Sequence, residues 1–387
     1  MSLPASGPRA EALPLSLYLH FPWCVQKCPY CDFNSHGLRE TLPEEAYVDA
    51  LLRDLDYELS QAPEARPLVS IFMGGGTPSL FSERAIGRLL EAVARRLRFA
   101  PDIEITLEAN PGTAEAARFA GYAAAGINRL SIGVQSLDDA MLKRLGRIHD
   151  SAEVRRAVDM ARAAGIANFN LDLMFALPEQ TPAQALGDLR AAIALQPTHL
   201  SYYQLTLEPN TEFAARPPPL PDEDSAWQMQ EQAQSLLAGA GYAQYEVSAY
   251  AQEGRRARHN LNYWQFGDYL GIGAGAHGKR SLAEGVQRRA RHKHPKTYLA
   301  QAGGPGAIQE QRTVGAQDLP FEFLMNALRL NAGFAIADYE ARTGLRWAAL
   351  APAQTAQARG LIEESQGRVR PTALGHRHLN GLLQLFL

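Results

Sequence analysis

Residues 18–33 read YLHFPWCVQKCPYCDF and contain every cysteine of the chain. The three cysteines, Cys24, Cys28 and Cys31, follow the spacing C-x-x-x-C-x-x-C. Three cysteines so close together cannot form a disulfide framework, which indicates a reducing compartment and a metal or cluster site. Thiolates are soft ligands that suit iron–sulfur clusters and zinc. Three of them in one short loop can hold three irons of a cubane cluster and leave the fourth iron open.

Two other interpretations of this segment stay open. A zinc ion would require a fourth ligand, for which Asp32, His20 and His36 are candidates, but zinc usually takes paired C-x-x-C spacing. Alternatively, the three thiols have only a structural role. Cysteine is rare in this chain and the three residues are grouped, which favours a metal or cluster site.

The N-terminal two thirds of the chain alternate predicted strands with predicted helices. Apolar runs of strand length are followed by segments of helical periodicity. Six such units in series predict an α/β fold, a partial (β/α)6 barrel of parallel strands with the helices outside. Binding residues are then expected at the C-terminal ends of the strands. The predicted strands are residues 15–20, 69–73, 103–108, 129–133, 169–175 and 200–207.

This pattern divides the chain into four predicted parts. Residues 1–14 form a flexible tail and residues 15–240 form the partial barrel. Residues 241–315 form a connecting region, and residues 316–387 form a small, mostly helical accessory domain.

The connecting region shows few regular elements in its sequence. Residues 251–278 are rich in arginine, asparagine, glycine and aromatic residues, which is typical of a surface or ligand loop. The glycine-rich run 271–278 has no convincing strand before it. Residues 288–296 are basic, which predicts an exposed loop.

The composition argues against several classes of protein. The chain has 387 residues, of which 46% are hydrophobic, far more than a disordered chain carries. Its 38 basic and 41 acidic residues give a net charge of -3, which argues against a protein that coats nucleic acid or anionic lipid. No apolar run approaches the ~20 residues of a membrane span, and the N-terminus lacks the pattern of a signal peptide. The expected location is the cytoplasm.

The segment from Tyr18 to Phe33 resembles the radical S-adenosylmethionine (SAM) superfamily. It is most similar to the branch that contains oxygen-independent coproporphyrinogen III oxidase, and the resemblance extends from about Leu15 to the C-terminus. The resemblance implies a [4Fe–4S] cluster held by the three cysteines, with the amino and carboxylate groups of SAM on the open iron. In this superfamily the reduced cluster breaks the sulfonium bond of SAM.

Several other segments match SAM-binding positions of this branch. Gly74-Gly75-Gly76 follows a predicted strand, and glycine lets the backbone approach a ligand closely, although the run alone is equally typical of a tight turn. Acidic and amide side chains within apolar strands are costly to bury unless they have a partner. The residues that the resemblance implies for SAM binding are Tyr18, Tyr30, Gly75, Gly76, Thr77, Glu108, Gln135, Arg147 and Asp172.

Two features favour the haem chaperones of this branch over the oxidase. The oxidase carries a further cysteine, which is not a cluster ligand in the family, at the position of Phe33. Residues 259–264, HNLNYW, match the H-N-x-x-Y-W motif of the haem chaperones. This motif combines a candidate iron ligand with amides and two aromatic rings that can stack on a flat macrocycle. The residues implied to contact haem are His259, Asn260, Tyr263 and Trp264.

Local chemistry leaves alternatives for this motif and its flank. The motif is also compatible with a turn that holds a core tryptophan, because a single histidine is more often structural than functional. The neighbouring Arg255, Arg256 and Arg258 can pair with haem propionates or form a solvated face.

The resemblance implies a haem chaperone that binds haem and transfers it to haem-dependent acceptors, such as respiratory or other haem proteins. The expected ligands are a [4Fe–4S] cluster, SAM and haem. One alternative is an oxygen-independent coproporphyrinogen III oxidase of porphyrin biosynthesis. Another is a radical SAM enzyme with a different substrate, for instance an RNA base, which the near-neutral charge disfavours. Neither stable nucleic-acid binding nor integration in a membrane is expected, although delivery of haem is compatible with contact at the membrane surface.

Overall fold

A computed structural model describes residues 13–112 and 116–387. Most of the predicted N-terminal tail, residues 1–14, therefore lies outside the described residues. Within the described part of the chain, no helix is both long enough and apolar enough to cross a bilayer.

Up to residue 240 the chain alternates strands with helices, as the sequence predicts. The strands are β1 (Leu15–Phe21), β2 (Trp23–Cys24), β3 (His36–Gly37), β4 (Leu68–Gly75), β5 (Phe99–Ala109), β6 (Arg129–Gln135), β7 (Phe169–Phe175) and β8 (His199–Gln204). The helices are α1 (Glu44–Gln61), α2 (Glu83–Ala94), α3 (Phe119–Ala124), α4 (Asp139–Arg144), α5 (Ser151–Ala163), α6 (Pro182–Ala194), α7 (Glu212–Ala215) and α8 (Glu223–Gly239).

The remainder of the chain adds nine strands and seven helices to the described residues. The strands are β9 (Ala243–Glu246), β10 (Ala249–Ala251), β11 (Asp268–Ile272), β12 (His277–Leu282), β13 (Gly285–Arg291), β14 (Ile308–Thr313), β15 (Phe334–Ala335), β16 (Ile362–Ser365) and β17 (Arg368–Pro371). The helices are α9 (Arg258–Trp264), α10 (Pro295–Gln301), α11 (Leu319–Ala327), α12 (Ile336–Thr343), α13 (Ala351–Ala358), α14 (Ala373–Arg377) and α15 (Leu379–Gln384).

Twelve of these strands form one sheet in the order β14-β13-β12-β11-β1-β4-β5-β6-β7-β8-β10-β9. The six strands β1 and β4 to β8 are parallel and stand side by side in chain order. Right-handed crossovers that always step in the same direction place the helices on one face and leave the other face open to ligands. The predicted series of six parallel strand–helix units is confirmed. Within the described residues the sheet stays open, with β14 and β9 at its edges.

Side chains alternate between the two faces of the parallel strands, since successive residues of a strand point in opposite directions. In β1, Leu17 and Leu19 are fully buried in the core beneath the helices. Tyr18 and His20 point to the opposite face and line a cavity there. The same face carries polar residues from the neighbouring strands: Ser70, Glu104, Thr106, Glu108, Arg129, Ser131, Asn170, Asp172, His199 and Ser201.

Two expectations for the connecting region are wrong. The predicted loop 251–278 contains α9 and β11, and β11 pairs in parallel with β1, so that Leu17 lies opposite Leu270. The predicted exposed loop 288–296 begins within β13, where Arg291 is fully buried. A basic residue can be buried there because two carboxylates pair with it, and those partners lie more than 230 residues away in sequence.

A second core holds the C-terminal helices together around Phe323, Phe334, Tyr339 and Trp347, whose rings contact one another. The mostly helical character predicted for this region is confirmed. A three-stranded antiparallel sheet in the order β15-β17-β16 is an additional feature that the sequence analysis does not predict. The domain boundaries derived from the sequence stay predictions.

A buried ion-pair network joins α1 to β13. Arg291 Nε donates to both oxygens of Asp54, at 2.9 and 3.0 Å, and its Nη2 donates to Glu58. The Tyr298 hydroxyl, on α10, also donates to Asp54. Because all four side chains are buried, each charge depends on the others to offset its desolvation. The network therefore holds α1 in a fixed position relative to β13 and α10.

We expect Arg291→Met to lower the free energy of unfolding by about 3–5 kcal/mol, because it leaves the Asp54 carboxylate buried without its ion-pair partner. Chemical denaturation of the full chain measures this change. Arg84→Ala is the matched control, since the pair of Arg84 with Glu45 is exposed and its loss should cost less than about 1 kcal/mol. Equal losses in the two variants would contradict the role of the network.

Candidate functional site

Cys24 is the last residue of β2, and Cys28 and Cys31 lie on the loop between β2 and β3, just beyond the C-terminal end of β1. The two short strands close this loop, because Trp23 pairs with His36. Inside the loop, the Cys31 N–H donates to the Cys28 carbonyl at 3.1 Å and so forms a tight turn. All three thiols are free and half-buried. Burial raises the pKa of the Cys24 thiol, despite a hydrogen bond from Thr77 that lowers it.

The glycine-rich turn that follows β4 packs directly on the backbone that leads into the cysteine loop. The N–H groups of Gly76 and Thr77 donate to the carbonyls of Phe21 and Trp23, both at 2.7 Å. A Cβ on Gly76 would lie 2.5 Å from the Trp23 carbonyl oxygen, and a Cβ on Gly75 would lie 2.4 Å from the His20 ring. Glycine is therefore required at these positions by contacts within the protein itself, besides any contact with a ligand.

A chain of polar contacts crosses the strand ends and connects two of the cysteines. The Thr77 hydroxyl donates to Cys24 Sγ at 3.5 Å and accepts from Asn110 Nδ2 at 3.0 Å. Arg147 Nη2 donates to Asn110 Oδ1 at 2.7 Å, and Arg147 Nη1 donates to Cys28 Sγ at 3.3 Å. A permanent positive charge thus lies beside the cysteine loop, in direct contact with the Cys28 sulfur.

Asn110 belongs to the site although its local sequence does not predict it. It lies two residues beyond Glu108, at the same strand end, and this polar pair was the available signal. Its role as a bridge between Thr77 and Arg147 depends on residues from different strand–helix units.

Two half-buried carboxyl groups face the same cavity from β5 and β7. Glu108 Oε2 accepts from the Gly75 N–H at 3.0 Å. Asp172 accepts from Ser131 Oγ and from Asn170 Nδ2, both at 2.9 Å. Burial, reinforced by the nearby Asp172, raises the pKa of Glu108 to about 8. Burial also raises the pKa of Asp172, although its hydrogen bonds oppose the shift. Glu108 is therefore mainly protonated at neutral pH.

Gln135 has two features that indicate a ligand-binding role. Its backbone φ is +62°, a left-handed conformation that is uncommon for a residue other than glycine. Its side-chain Oε1 is buried and has no hydrogen-bond partner among the described residues. An unpaired buried acceptor costs about 1–3 kcal/mol, which a bound ligand with a donor group would recover.

A cavity of about 420 Å³, here called the cysteine cavity, collects most of the residues predicted to bind the cluster and SAM. Tyr18 is the exception among them, since it lines the two neighbouring cavities that are described below. Its hydroxyl lies 2.8 Å from His20 Nδ1. The predicted residues that line the cysteine cavity are Cys24, Cys28, Cys31, Tyr30, Gly75, Gly76, Thr77, Glu108, Gln135, Arg147 and Asp172.

The donor set of the cysteine cavity fits a cluster and SAM. It offers three thiols, the positive charge of Arg147, and the unpaired acceptor of Gln135. Within residues 13–112 and 116–387, no group of three or more His, Cys, Asp and Glu side chains is arranged to hold a single metal ion. A cubane cluster instead takes one thiolate on each iron.

A second cavity of about 550 Å³, here called the aromatic cavity, adjoins the cysteine cavity. The two share Phe33, Gly75 and Glu108 in their walls. The rings that line the aromatic cavity belong to Tyr18, Phe33, Phe72, Tyr263, Trp264, Phe266 and Tyr269. Its cationic and histidine side chains are Lys279, Arg288, Lys293, His20 and His277.

The four residues predicted to contact haem divide between two cavities. Trp264 lines the aromatic cavity, and Tyr263 lines both the aromatic cavity and a smaller one beside it. His259 and Asn260 line that smaller, polar cavity of about 200 Å³, here called the inner cavity. His259 is buried there, with Nδ1 3.0 Å from Glu104 Oε1.

None of the three arginines that flank the motif lines any of these cavities. Arg258 pairs with the exposed Asp102, and Arg256 lies over the Tyr245 ring. The cations of the aromatic cavity come instead from Lys279, on β12, and from the basic segment 288–296.

Comparison with known proteins agrees with this geometry. Residues 18–192 match the Radical SAM superfamily, and residues 314–377 match the HemN C-terminal domain. The fold resembles the solved structure of coproporphyrinogen III oxidase (HemN) from Escherichia coli, with a TM-score of 0.82 and 24% identity over 98% of this chain and 91% of the other. At that identity the likeness shows the fold alone.

Two relatives are similar over nearly their whole length. The protein named heme chaperone HemW from Escherichia coli (strain K12) is 52% identical, and that from Haemophilus influenzae is 51% identical. Each alignment covers 97% of this chain and 98% of the relative. The chain belongs to the radical SAM superfamily and, within it, to the family of the heme chaperone HemW.

Proposed function

We propose that this protein binds haem in the aromatic cavity and transfers it to haem-dependent acceptor proteins, while a [4Fe–4S] cluster and SAM occupy the cysteine cavity. The observation that carries this proposal is the aromatic cavity itself, which shares a wall with the cysteine cavity. The names of the two relatives described above support the same function.

The chemistry of the aromatic cavity suits a flat, dianionic macrocycle. Its volume of about 550 Å³ falls within the range of about 300–1,000 Å³ found for small-molecule and cofactor sites. Tyr263 and Tyr269 pack edge-to-face with ring centroids 4.7 Å apart and form an apolar wall together with Trp264. At the rim, the exposed Lys293 supplies a positive charge for a propionate.

In the cysteine cavity, the thiolates of Cys24, Cys28 and Cys31 would each hold one iron, and SAM would complete the fourth. When bound, the reduced cluster supplies the electron that cleaves SAM in this superfamily. Arg147 and Thr77 hold the two cysteines that they contact, and Asn110 fixes both of them in position. Gln135, Glu108 and Asp172 line the same cavity, and their polar atoms are the groups that would bind SAM, as the family resemblance implies.

The oxidase alternative is disfavoured by Phe33. Its ring is 60% exposed and lines both cavities, at the position where the oxidase has a further cysteine. A phenyl ring supplies neither a thiol nor a proton at the boundary between a SAM site and a porphyrin site. We therefore propose binding and delivery of haem rather than decarboxylation of coproporphyrinogen.

We expect each of the variants Cys24→Ala, Cys28→Ala and Cys31→Ala to lose the visible absorption and the electron paramagnetic resonance signal of the cluster. One lost thiolate leaves an iron without its protein ligand. Iron and sulfide content after anaerobic reconstitution gives the measurement. Ser35→Ala is the matched control, since Ser35 lines the same cavity but carries no thiol. A single cysteine variant that keeps a full four-iron content would contradict the assignment.

Glu108→Gln should leave the iron content unchanged but weaken the effect of SAM on the spectrum of the reduced cluster. A bound sulfonium cation favours the ionised carboxylate of Glu108, which a neutral amide cannot form. Titration of SAM into the reduced wild-type and variant proteins measures this difference. Equal SAM dependence in the two proteins would remove Glu108 from the SAM site.

The same variant tests the pKa of Glu108. The pKa is about 8 in the folded protein, well above that of an exposed glutamate, so the folded state binds a proton that the unfolded state has released. The stability of wild-type protein without SAM should therefore fall as the pH rises from the acidic range through about 8, by at most ~1.4 kcal/mol per pH unit from this group. Glu108→Gln should lack that contribution, and denaturation at several pH values measures the difference.

Trp264→Ala should weaken haem binding by roughly threefold to tenfold, because stacking area in the aromatic cavity is lost. Trp227→Ala is the control: Trp227 is half-buried beneath Arg377 and lies outside the three cavities. Haem titration followed by optical absorption gives both affinities. Steady conversion of coproporphyrinogen III by the purified protein would replace the chaperone proposal with the oxidase.

A further inference from the structure

The histidine of the H-N-x-x-Y-W motif is poorly placed to bind the iron of a haem in the aromatic cavity. His259 lines the inner cavity of about 200 Å³, which is too small for a macrocycle of cofactor size. Its Nδ1 is 3.0 Å from Glu104 Oε1, and its ring stacks on Phe72 with centroids 4.0 Å apart. It is buried, with only 6% of its surface exposed. These contacts fit a structural histidine that anchors α9 to β5 and β4.

Two other histidines, His20 and His277, line the aromatic cavity, and both ring nitrogens of His20 already have hydrogen-bond partners. His20 Nδ1 contacts the Tyr18 hydroxyl and His20 Nε2 contacts the Asn34 carbonyl, both at 2.8 Å. Both nitrogens therefore have partners, and the ring is 5% exposed. His277 differs: its side chain is exposed, and among the described residues no hydrogen bond or ion pair to its ring is present.

The backbone at His277 is held firmly although its ring is free. His277 begins β12 and pairs with Ala290 on β13. Its carbonyl packs so closely on Gly271 that a Cβ there would lie 1.8 Å from the carbonyl oxygen. A free imidazole on a rigid strand is well suited to bind a ligand, because binding costs little reorganisation.

The register of the sheet places His277 on the face that carries the aromatic wall. His277 and Lys279 are two residues apart on β12, so both point to the same side of the sheet. Lys279 lies opposite Tyr269 of β11, and Tyr269 packs on Tyr263. The free imidazole and the aromatic pair therefore face the same volume, with Lys293 at its rim.

We propose that His277 is the protein ligand of the haem iron, bound in the aromatic cavity between the ring pair Tyr263–Tyr269 and the cation Lys293. A neutral imidazole nitrogen is a common axial ligand of haem iron. This inference rests on the haem binding proposed above and assigns the iron ligand to a residue outside the H-N-x-x-Y-W motif.

The test compares ferric haem bound to the wild type, His277→Ala, His277→Gly, His259→Ala and His294→Ala, each as the full chain. His294 is the matched control, since it is exposed nearby but lies outside the aromatic cavity. Electron paramagnetic resonance and optical spectra of the haem report the axial ligand, and circular dichroism verifies the fold of each variant.

We expect His277→Ala and His277→Gly to change the haem spectrum and to weaken haem affinity at least about tenfold, since even the loss of an outer partner of a metal ligand costs about 10–100-fold in affinity. Added imidazole should restore the wild-type spectrum in His277→Gly, which a merely structural role would not allow. The His294→Ala and His259→Ala variants should keep the wild-type spectrum.

The outcomes separate this inference from the proposed function. If the wild type binds haem and the His277 variants keep its spectrum, His277 is not the ligand, although haem binding stands. A spectrum altered by His259→Ala alone would assign the iron to the motif instead and overturn the inference. If the wild type with its cluster and SAM binds no haem, the proposed function itself fails, and the inference with it.

Discussion

Alternation of side chains along the parallel strands is the constraint on which the rest of the structure depends. Leucines such as Leu17 and Leu19 meet the helices, and the residues between them, Tyr18 and His20, meet the opposite face. Consistent right-handed crossovers keep the crossover helices off that face, so it can be lined by polar groups. Burial of those groups is costly unless they pair, and Asp172 illustrates the solution with its hydrogen bonds from Ser131 and Asn170.

The cavities form a connected system because a few residues belong to more than one of them. Glu108 lines the cysteine cavity, the aromatic cavity and the inner cavity, and Phe33 lines the first two. A change in the charge of Glu108 therefore changes the electrostatic potential in all three cavities, since electrostatic interactions are strong where water is excluded. The exposed ring of Phe33, in contrast, lies between the two larger cavities as an apolar surface.

The strands and helices beyond residue 240 build most of the aromatic wall. The helix α9 carries Tyr263. Tyr269 lies on β11, which is the strand next to β1 in the sheet. The Arg291 network fixes α1 to β13, and the Tyr47 hydroxyl on α1 connects the His20 carbonyl with the Ala274 N–H. The position of the aromatic cavity next to the cysteine cavity thus follows from contacts between the first strand and a region far from it in sequence.

The sequence by itself determined the features that depend on neighbouring residues: the six strand–helix units, the cysteine spacing and the glycine-rich turn. Periodicity and spacing report on such local structure, because residues two to four apart share a face. Only the tertiary structure decided which distant groups meet. Asn110 joins Thr77 to Arg147, and His259 turns away from the aromatic cavity toward Glu104.

The same distinction explains the two wrong expectations. The strand β11 is short and contains glycine, so its own sequence predicts it weakly, and its pairing with β1 brings together residues about 250 positions apart. Arginine is usually exposed to solvent, yet the carboxylates of Asp54 and Glu58 on α1 allow Arg291 to be buried. Local propensity acts over a few residues, whereas burial and ion pairing depend on groups that become neighbours only when the sheet is complete.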